Sequence, residues 1–193
     1  MSLYQSLTQL PTAQAAQLLL GQTLVRSQGT TVLAARIVET EAYHQSDPAA
    51  HTFHGPSKRN QTMFGPAGHA YGMHHCLNVT AGEAGEGAGV LIRAIEPLEG
   101  LEAMARNRKL PRVVLDTADG IRQLGSGPGK LAQALGITLE LNGHDLTRPP
   151  LQLIETGTVT PTSIVTTTRI GITKAASEPL RFYIKDSSFI SRP

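Results

Sequence analysis

A long β-type run over residues 31–42 constrains the fold of this chain more than any other feature. It is rich in valine, isoleucine and threonine, and it follows a shorter run of the same kind over residues 23–26. The residues Gln28-Gly29-Thr30 separate the two runs, and a glycine in so short a connection is typical of a hairpin. The sequence therefore predicts two antiparallel strands, the second of which ends among charged side chains.

Reactive side chains collect where that second strand ends. They are a pair of carboxylates, a phenol and an imidazole: Glu39, Glu41, Tyr43 and His51. The turn-type segment Ser46-Asp47-Pro48 separates the imidazole from the strand. A carboxylate can serve as a general base and an aromatic ring can stack on a substrate, so the junction predicts an active site. Regular strand alternation puts both glutamates on one face, so periodicity does not choose between them.

The remaining patterns predict an α+β fold, because strands outnumber helices and hairpins outnumber βαβ units. Further strands are expected over residues 89–95, 151–155, 164–172 and 180–185, and helices over residues 11–20, 101–109, 116–124 and 130–135. We expect one domain over residues 1–193, with a largely antiparallel sheet core and peripheral helices.

Composition excludes several classes of protein. The single cysteine, Cys76, cannot form an intrachain disulfide, which suits a reducing compartment, and we expect a cytoplasmic protein. The first apolar run, residues 18–20, is far shorter than the roughly 20 residues of a membrane helix, and no basic leader precedes it. A net charge of only +2 means that electrostatics alone does not identify a nucleic-acid binder.

Two other patterns could suggest a nucleotide-binding loop and a metal site. Residues 125–130 are glycine-rich, but Lys130 is followed by leucine and the spacing of a nucleotide-binding loop is absent. They suit a helix start whose amides could hold one DNA phosphate. Several histidines lie near Cys76, but adjacent His74 and His75 would face opposite sides of a strand and no second cysteine completes a ligand set. We expect no metal site.

These residues together resemble the alkyladenine (3-methyladenine) DNA glycosylase family. The blocks that carry the resemblance run in the family's order from about residue 18 to residue 191: Glu39-Thr40-Glu41-Ala42-Tyr43, Ala49-Ala50-His51, Arg59-Asn60, Met63-Phe64, Tyr71-Gly72-Met73-His74-His75-Cys76-Leu77-Asn78, residues 90–100, residues 125–131 and residues 179–183. The resemblance is specific and covers nearly the whole chain.

The resemblance implies roles for the residues of the pocket. Glu41 would be the catalytic base, and Arg93 would orient it and bind phosphate, although a buried structural ion pair is the alternative for Arg93. Residues that touch the base would be Tyr43 and His51 as stacking walls, Asn78 as the side chain that excludes the exocyclic amine of guanine, and Ala50. Without the motif, each of these would more often be an ordinary packed residue.

The resemblance also implies a DNA-inserting hairpin, with DNA contacts from Tyr71, Met73, Arg59 and Lys130. Tyr71 would fill the gap left by a flipped nucleotide, or it would correspond to the first tyrosine of the hairpin strand. The chain departs from the family pattern here. If the segment from Gly68 to Met73 is interpreted as part of a strand, it is about five residues shorter than in relatives. A shorter hairpin would lack the second stacking tyrosine.

The function implied is that of a monofunctional DNA glycosylase. It would remove alkylated purines such as 3-methyladenine, and also 7-methylguanine, hypoxanthine or ethenoadenine, from damaged double-stranded DNA at the start of base excision repair. We expect a monomer without a cofactor, metal or membrane partner, in a bacterial cytoplasm and bound to the nucleoid through its activity. Two alternatives remain: a catalytically weak protein that binds damaged DNA, and a hydrolase or transferase of small nucleosides.

The first prediction concerns the product. No lysine lies in the motif around Glu41 to form a Schiff base, so the product should be an abasic site in an uncleaved strand. Treatment of a reaction on methylated duplex DNA with borohydride should trap no protein–DNA adduct. A trapped adduct would mean that a lysine or terminal amine attacks the sugar.

Overall fold

The structure is a computed structural model that describes residues 2–70 and 76–193 in full and the backbone of Tyr71. These residues form eight strands of one antiparallel sheet: Thr23–Gln28 (β1), Thr31–His44 (β2), Ala70–Tyr71 (β3), Asn78–Thr80 (β4), Ala88–Glu99 (β5), Leu151–Ile154 (β6), Ile164–Thr167 (β7) and Arg181–Ile184 (β8). The order across the sheet is β3-β4-β5-β2-β1-β6, and β8 pairs with both β2 and β7.

The central strand, β2, changes partner along one of its edges. One edge pairs with β5 along most of its length. The other edge pairs first with β1, over residues 31–36, and then with β8, over residues 39–41. Because its second half has neighbours on both edges, residues 37–42 of β2 are all buried. The fold thus places two strand carboxylates inside the protein.

Three register shifts occur where β5 pairs with β2, and two of them place an extra residue on β5. The strand continues through Pro97, which pairs with Ala35 beside a register shift that leaves Leu98 50% exposed. A bulge accommodates a proline, which has no N–H for the ladder. The second of these two shifts lies opposite Glu39, where Arg93 is the extra residue between two paired neighbours. This bulge occurs where the arginine contacts the carboxylates of β2.

Five helices pack against the sheet: Leu3–Gln9 (α1), Thr12–Leu18 (α2), Leu101–Asn107 (α3), Ala118–Gly125 (α4) and Pro128–Ala134 (α5). The first begins at a capping box in which Ser2 and Gln5 satisfy each other's backbone N–H. The second packs on β2, where Thr40 Oγ1 donates to the carbonyl of Ala16 over 2.8 Å. Helices α4 and α5 pack on β5.

The predicted α+β class and the antiparallel core are confirmed, and each predicted helix is present. Three details differ. The helix α1 was not predicted, β5 extends beyond the expected end at residue 95, and β7 ends at Thr167 rather than at residue 172. The chain leaves the sheet after Thr167 to pass beside Glu41. The tip of the expected DNA-inserting hairpin, residues 72–75 between β3 and β4, lies outside the described residues.

The glycine-rich segment 125–130 has a packing role. Gly125 ends α4 against β5, where a Cβ would lie 2.4 Å from Ile95 Cγ1 and 2.8 Å from its carbonyl oxygen. No other residue fits there without displacing backbone. Gly129, inside α5, has open space around the position of a Cβ. Close approach of helix and strand therefore explains one of these glycines and not the other.

The two glycines give a matched pair of substitutions. Gly125→Ala should lower the free energy of unfolding by about 1–3 kcal/mol, because the added methyl overpacks the core at Ile95. Gly129→Ala should leave it unchanged or raise it by about 0.5–1 kcal/mol, since alanine favours the helix. Urea unfolding of both variants measures the difference, and equal effects would contradict this packing.

Candidate active site

A cavity of about 170 Å³ opens beside the end of β2. This volume is below the roughly 300–1,000 Å³ of sites for drug-sized ligands, which suits a single nucleobase. Its walls come from β2, the loop after it, β4, β5 and the loop after β7: Tyr43, Ala49, His51, Met63, Cys76, Asn78, Leu91 and Ile172. Three of the predicted base contacts, Tyr43, His51 and Asn78, thus line one cavity.

Glu41 lies on the sheet face that forms the cavity. It pairs with Leu91 on β5, and Leu91 pairs with Asn78 on β4. Directly opposed residues of antiparallel strands project from the same face, so the three side chains form a row across the sheet. Two of them line the cavity and the third, Glu41, is fully buried beside them.

The carboxylate of Glu41 is held by two hydrogen-bond donors and one cation. Tyr43 donates its hydroxyl to Oε2 over 2.8 Å, and the backbone N–H of Ile170 donates to Oε1 over 2.8 Å. Arg93 Nη1 lies 3.2 Å from Oε1. A carboxylate offers about four acceptor positions, so the described residues leave one position on Oε2. A water molecule could donate to that position.

Glu39 is bound in a different way. Its carboxylate accepts from the side chains of Arg181 over 2.7 Å and Arg93 over 3.2 Å. Ser191 adds its backbone N–H over 2.6 Å and its hydroxyl over 2.9 Å. Three of these four donors bond to Oε1 and one bonds to Oε2, and none of the donor residues lines the cavity. The contacts, unlike the strand period, therefore distinguish the two carboxylates, because Glu41 accepts from Tyr43, a residue of the cavity wall, and Glu39 has no such partner among the described residues.

Arg93 joins these two groups of contacts. Its side chain is 8% exposed, and its guanidinium lies 3.2 Å from an oxygen of each carboxylate. The buried ion pair that was the alternative for this residue is present. The guanidinium contacts two buried carboxylates, and the binding of a DNA phosphate by Arg93 stays a prediction.

Tyr43 connects the carboxylate to the cavity. Burial, followed by the neighbouring charge of Glu41, raises the pKa of the Tyr43 hydroxyl above its usual range. The phenol therefore stays protonated and remains a donor to Glu41. The guanidinium of Arg169 lies over the ring, 4.6 Å from its centroid. Arg169 does not line the cavity, so the ring surface that faces the cavity is not covered by that arginine.

His51 lies in a loop fixed by Asn60. The amide of that asparagine donates to the carbonyl of His51 over 2.8 Å and to that of Gly55 over 3.0 Å. Ala49 lines the cavity, whereas Ala50, predicted to touch the base, is 7% exposed and is not among the lining residues. The turn of this loop therefore places Ala49, and not Ala50, in the cavity wall.

Two of the predicted DNA contacts, Arg59 and Lys130, are exposed. Arg59 is exposed on the loop that follows His51, and Lys130 is exposed on α5 with its Nζ 3.5 Å from Ser126 Oγ. The helix α5 has seven residues, and we assign no phosphate site to its N-terminus. The side chain of Tyr71 and all of Met73 lie outside the described residues.

A larger groove of about 630 Å³ lies at the same end of β2 and shares Tyr43 with the cavity. Its walls include the connection between α1 and α2 and the carboxylates of Asp47, Glu83 and Glu86. An acidic wall repels phosphate. The groove also lacks His51, Asn78 and Leu91, so the smaller cavity is the better candidate for the site.

The residues of the site that sequence reasoning missed include four from the last part of the chain: Arg169, Ile170, Ile172 and Ser191. The first three were assigned to a strand over residues 164–172, because that segment is rich in β-branched side chains. Ser191 had no local signal. A pairing between a loop and a strand more than a hundred residues away leaves no spacing pattern, so none was available to find these contacts.

Neither a metal cluster nor a membrane-spanning helix is present within residues 2–71 and 76–193. No three histidine, cysteine or acidic side chains in this part of the chain are grouped as metal ligands would be. No helix in it is long and apolar enough to cross a bilayer.

Comparison with known proteins identifies the family. The sequence profile of the methylpurine-DNA glycosylase family matches residues 6–188. A protein of Methanoculleus marisnigri is 50% identical over 189 residues, which cover 94% of this chain and 94% of that protein. Proteins of Nitrosospira multiformis and Francisella tularensis are 49% and 40% identical, over 92% and 97% of this chain and 88% and 97% of their own lengths.

All three relatives carry the provisional name of 3-methyladenine DNA glycosylase. The chain belongs to the methylpurine-DNA glycosylase family. The family predicted from the motifs is confirmed, and with it the prediction that the chain is a DNA glycosylase.

The contacts of the two glutamates predict different effects on stability. Glu39→Gln should lower the free energy of unfolding by about 3–5 kcal/mol, because two buried arginines lose their shared anion. Glu41→Gln should cost about 1 kcal/mol, since Arg93 keeps Glu39 and the amide oxygen still accepts one hydrogen bond. Urea unfolding compares the two, and a larger loss for Glu41→Gln would contradict these assignments.

Proposed function

We propose that this glycosylase excises alkylated purines, 3-methyladenine among them, from duplex DNA by flipping the nucleotide into the 170 Å³ cavity. The observation that carries the proposal is the buried carboxylate of Glu41, held by Tyr43, Ile170 and Arg93, directly beside a cavity of nucleobase size. The names of the relatives support the substrate class.

In the proposed reaction a water molecule donates a hydrogen bond to the open position on Glu41 Oε2 and attacks C1′ of the deoxyribose. The C1′–N bond breaks and its electron pair leaves with the purine, which neutralises a cationic alkylated base. The new C1′–O bond forms as the proton of the water passes to Glu41. The negative charge of that carboxylate also stabilises the cationic sugar of the transition state.

The fixed donors to Glu41 suit this role. Hydrogen bonds and the nearby charge of Arg93 orient the carboxylate before the substrate arrives, so no reorganisation is needed during reaction. Tyr43 contributes twice, because its hydroxyl holds Glu41 while its ring faces the cavity. A cationic purine gains about 0.5–2 kcal/mol from stacking on such a ring.

Selection of damaged bases would follow from the walls of the cavity. Met63, Leu91 and Ile172 give it apolar sides that accept a methyl group. Asn78 shares the cavity face with Glu41, where its amide would meet the exocyclic amine of guanine and leave a polar group unpaired. Normal bases would also lose their stacking and pairing on leaving the duplex, which damaged bases lose at lower cost.

The test is release of methylpurines from methylated duplex DNA with enzyme in excess. Glu41→Gln should lower the single-turnover rate constant by about 100-fold or more while lesion binding persists, because only the base and the stabilising charge are removed. Glu102→Gln is the matched control, since this exposed glutamate of α3 pairs with Arg112 on the surface. It should react like the wild type.

Three outcomes are distinct. Release by the wild type and by Glu102→Gln but not by Glu41→Gln supports the proposal. Equal release by all three proteins assigns the catalytic role elsewhere. Binding of damaged duplex without release by any of them would mean a protein that recognises damage but lacks catalysis.

A further inference from the structure

We infer that Arg169 is a positioning residue for base release, which holds Glu41 and Tyr43 in their reactive arrangement. The inference rests on the proposed function and adds a residue that touches neither the cavity nor the reacting atoms. It assigns to the segment after β7 the task of completing the site.

Arg169 ties three parts of the chain together. Its side chain is fully buried and forms an ion pair with Asp47 in the loop after β2. Nη1 also donates to the carbonyl of Ala42, near the end of β2, over 3.0 Å. Nη2 donates to the carbonyl of Ala175 over 3.4 Å, within its own loop. These contacts fix the loop after β7 against the strand that carries Glu41.

The consequences reach the site through neighbouring residues. The next residue, Ile170, donates its backbone N–H to Glu41 Oε1 over 2.8 Å, and Ile172 forms part of the cavity wall. The guanidinium itself lies 4.6 Å from the centroid of the Tyr43 ring. Arg169 thus positions the backbone N–H of Ile170 that donates to Glu41, the part of the cavity wall formed by Ile172, and the ring of Tyr43.

A planar guanidinium is needed for this combination. It can donate in the plane to a carboxylate and to backbone carbonyls while its face lies on an aromatic ring. A lysine ammonium has one charged atom on a flexible stem, so it can pair with Asp47 but cannot make the other contacts at once. Arg169→Lys should therefore keep the charge pair and lose the positioning.

The alternative is that the ion pair of Arg169 and Asp47 only stabilises the fold. A substitution of Asp47 distinguishes this alternative from a positioning role. Arg169→Met leaves the buried carboxylate of Asp47 without its cation, which destabilises the fold for a reason unrelated to catalysis. The double variant Arg169→Met with Asp47→Asn removes that unpaired charge. The amide oxygen introduced by Asp47→Asn could still accept the hydrogen bond that the backbone N–H of Ala49 now donates to Asp47 Oδ1 over 2.9 Å.

The experiment measures the urea midpoint and the single-turnover release of methylpurines for wild type, Arg169→Met, the double variant and Arg169→Lys. In the double variant we expect the midpoint to recover toward wild type while the release rate stays about 100-fold low, the size of loss expected when a reacting group is misplaced by about 1 Å. Arg169→Lys should lose at least about tenfold with little change in midpoint. Affinity for undamaged duplex should not change.

The matched control is the pair of the exposed Arg148 and the half-buried Asp145. Arg148→Met with Asp145→Asn makes the same change of charge on the surface and should release base at the wild-type rate. A release rate that recovers together with the midpoint, or a wild-type rate in Arg169→Lys, would overturn the inference. Absence of release by wild-type protein would instead count against the proposed function.

Discussion

The site depends on a cation shared by two buried carboxylates. Arg93 lies 3.2 Å from both Glu39 and Glu41, on a bulge of β5 opposite the central strand. Two carboxylates at alternate positions of one strand would otherwise repel each other in the low-dielectric interior. With Arg181 paired to Glu39, two anions are matched by two cations. The central strand can therefore carry both glutamates in a buried position.

The same network gives the two glutamates different surroundings. The C-terminal segment closes over Glu39, since Ser191 donates twice to its carboxylate and Arg181 also donates to the carbonyl of Arg192. Nothing comparable among the described residues covers Oε2 of Glu41 except the hydroxyl of Tyr43. Glu39 is thus bonded to residues that do not line the cavity, whereas Glu41 is bonded to Tyr43, which does. Identical side chains two residues apart are distinguished by the residues they contact.

Sequence predicted the parts of this arrangement that depend on local pattern. The period of the strands indicated the α+β class, and the motif placed Glu41, Tyr43, His51 and Asn78 near one another. The resemblance pointed to Glu41, but the strand period could not choose between the glutamates, because a period of two puts both on the same face. That choice depends on Ser191, 152 residues from Glu39 in the chain, for which no local signal exists.

Other features escaped prediction for identifiable physical reasons. The strand expected over residues 89–95 ends before Pro97, because proline has no N–H for the ladder, but a bulge beside Ala35 allows β5 to continue. Residues 164–172 have strand propensity throughout, yet the contacts of Arg169 with Asp47 and of Ile170 with Glu41 draw the second half away from the sheet. Tertiary contacts override local propensity here, at the position where the loop completes the site.

The most direct test of the central claim is a crystal structure of Glu41→Gln bound to a duplex that contains one alkylated purine. The account predicts a purine flipped into the cavity against Tyr43, with Asn78 near its edge and a water between C1′ and the side chain at position 41. A lesion that stays stacked in the duplex, or a flipped purine whose C1′ lies nearer to Glu39, would contradict it.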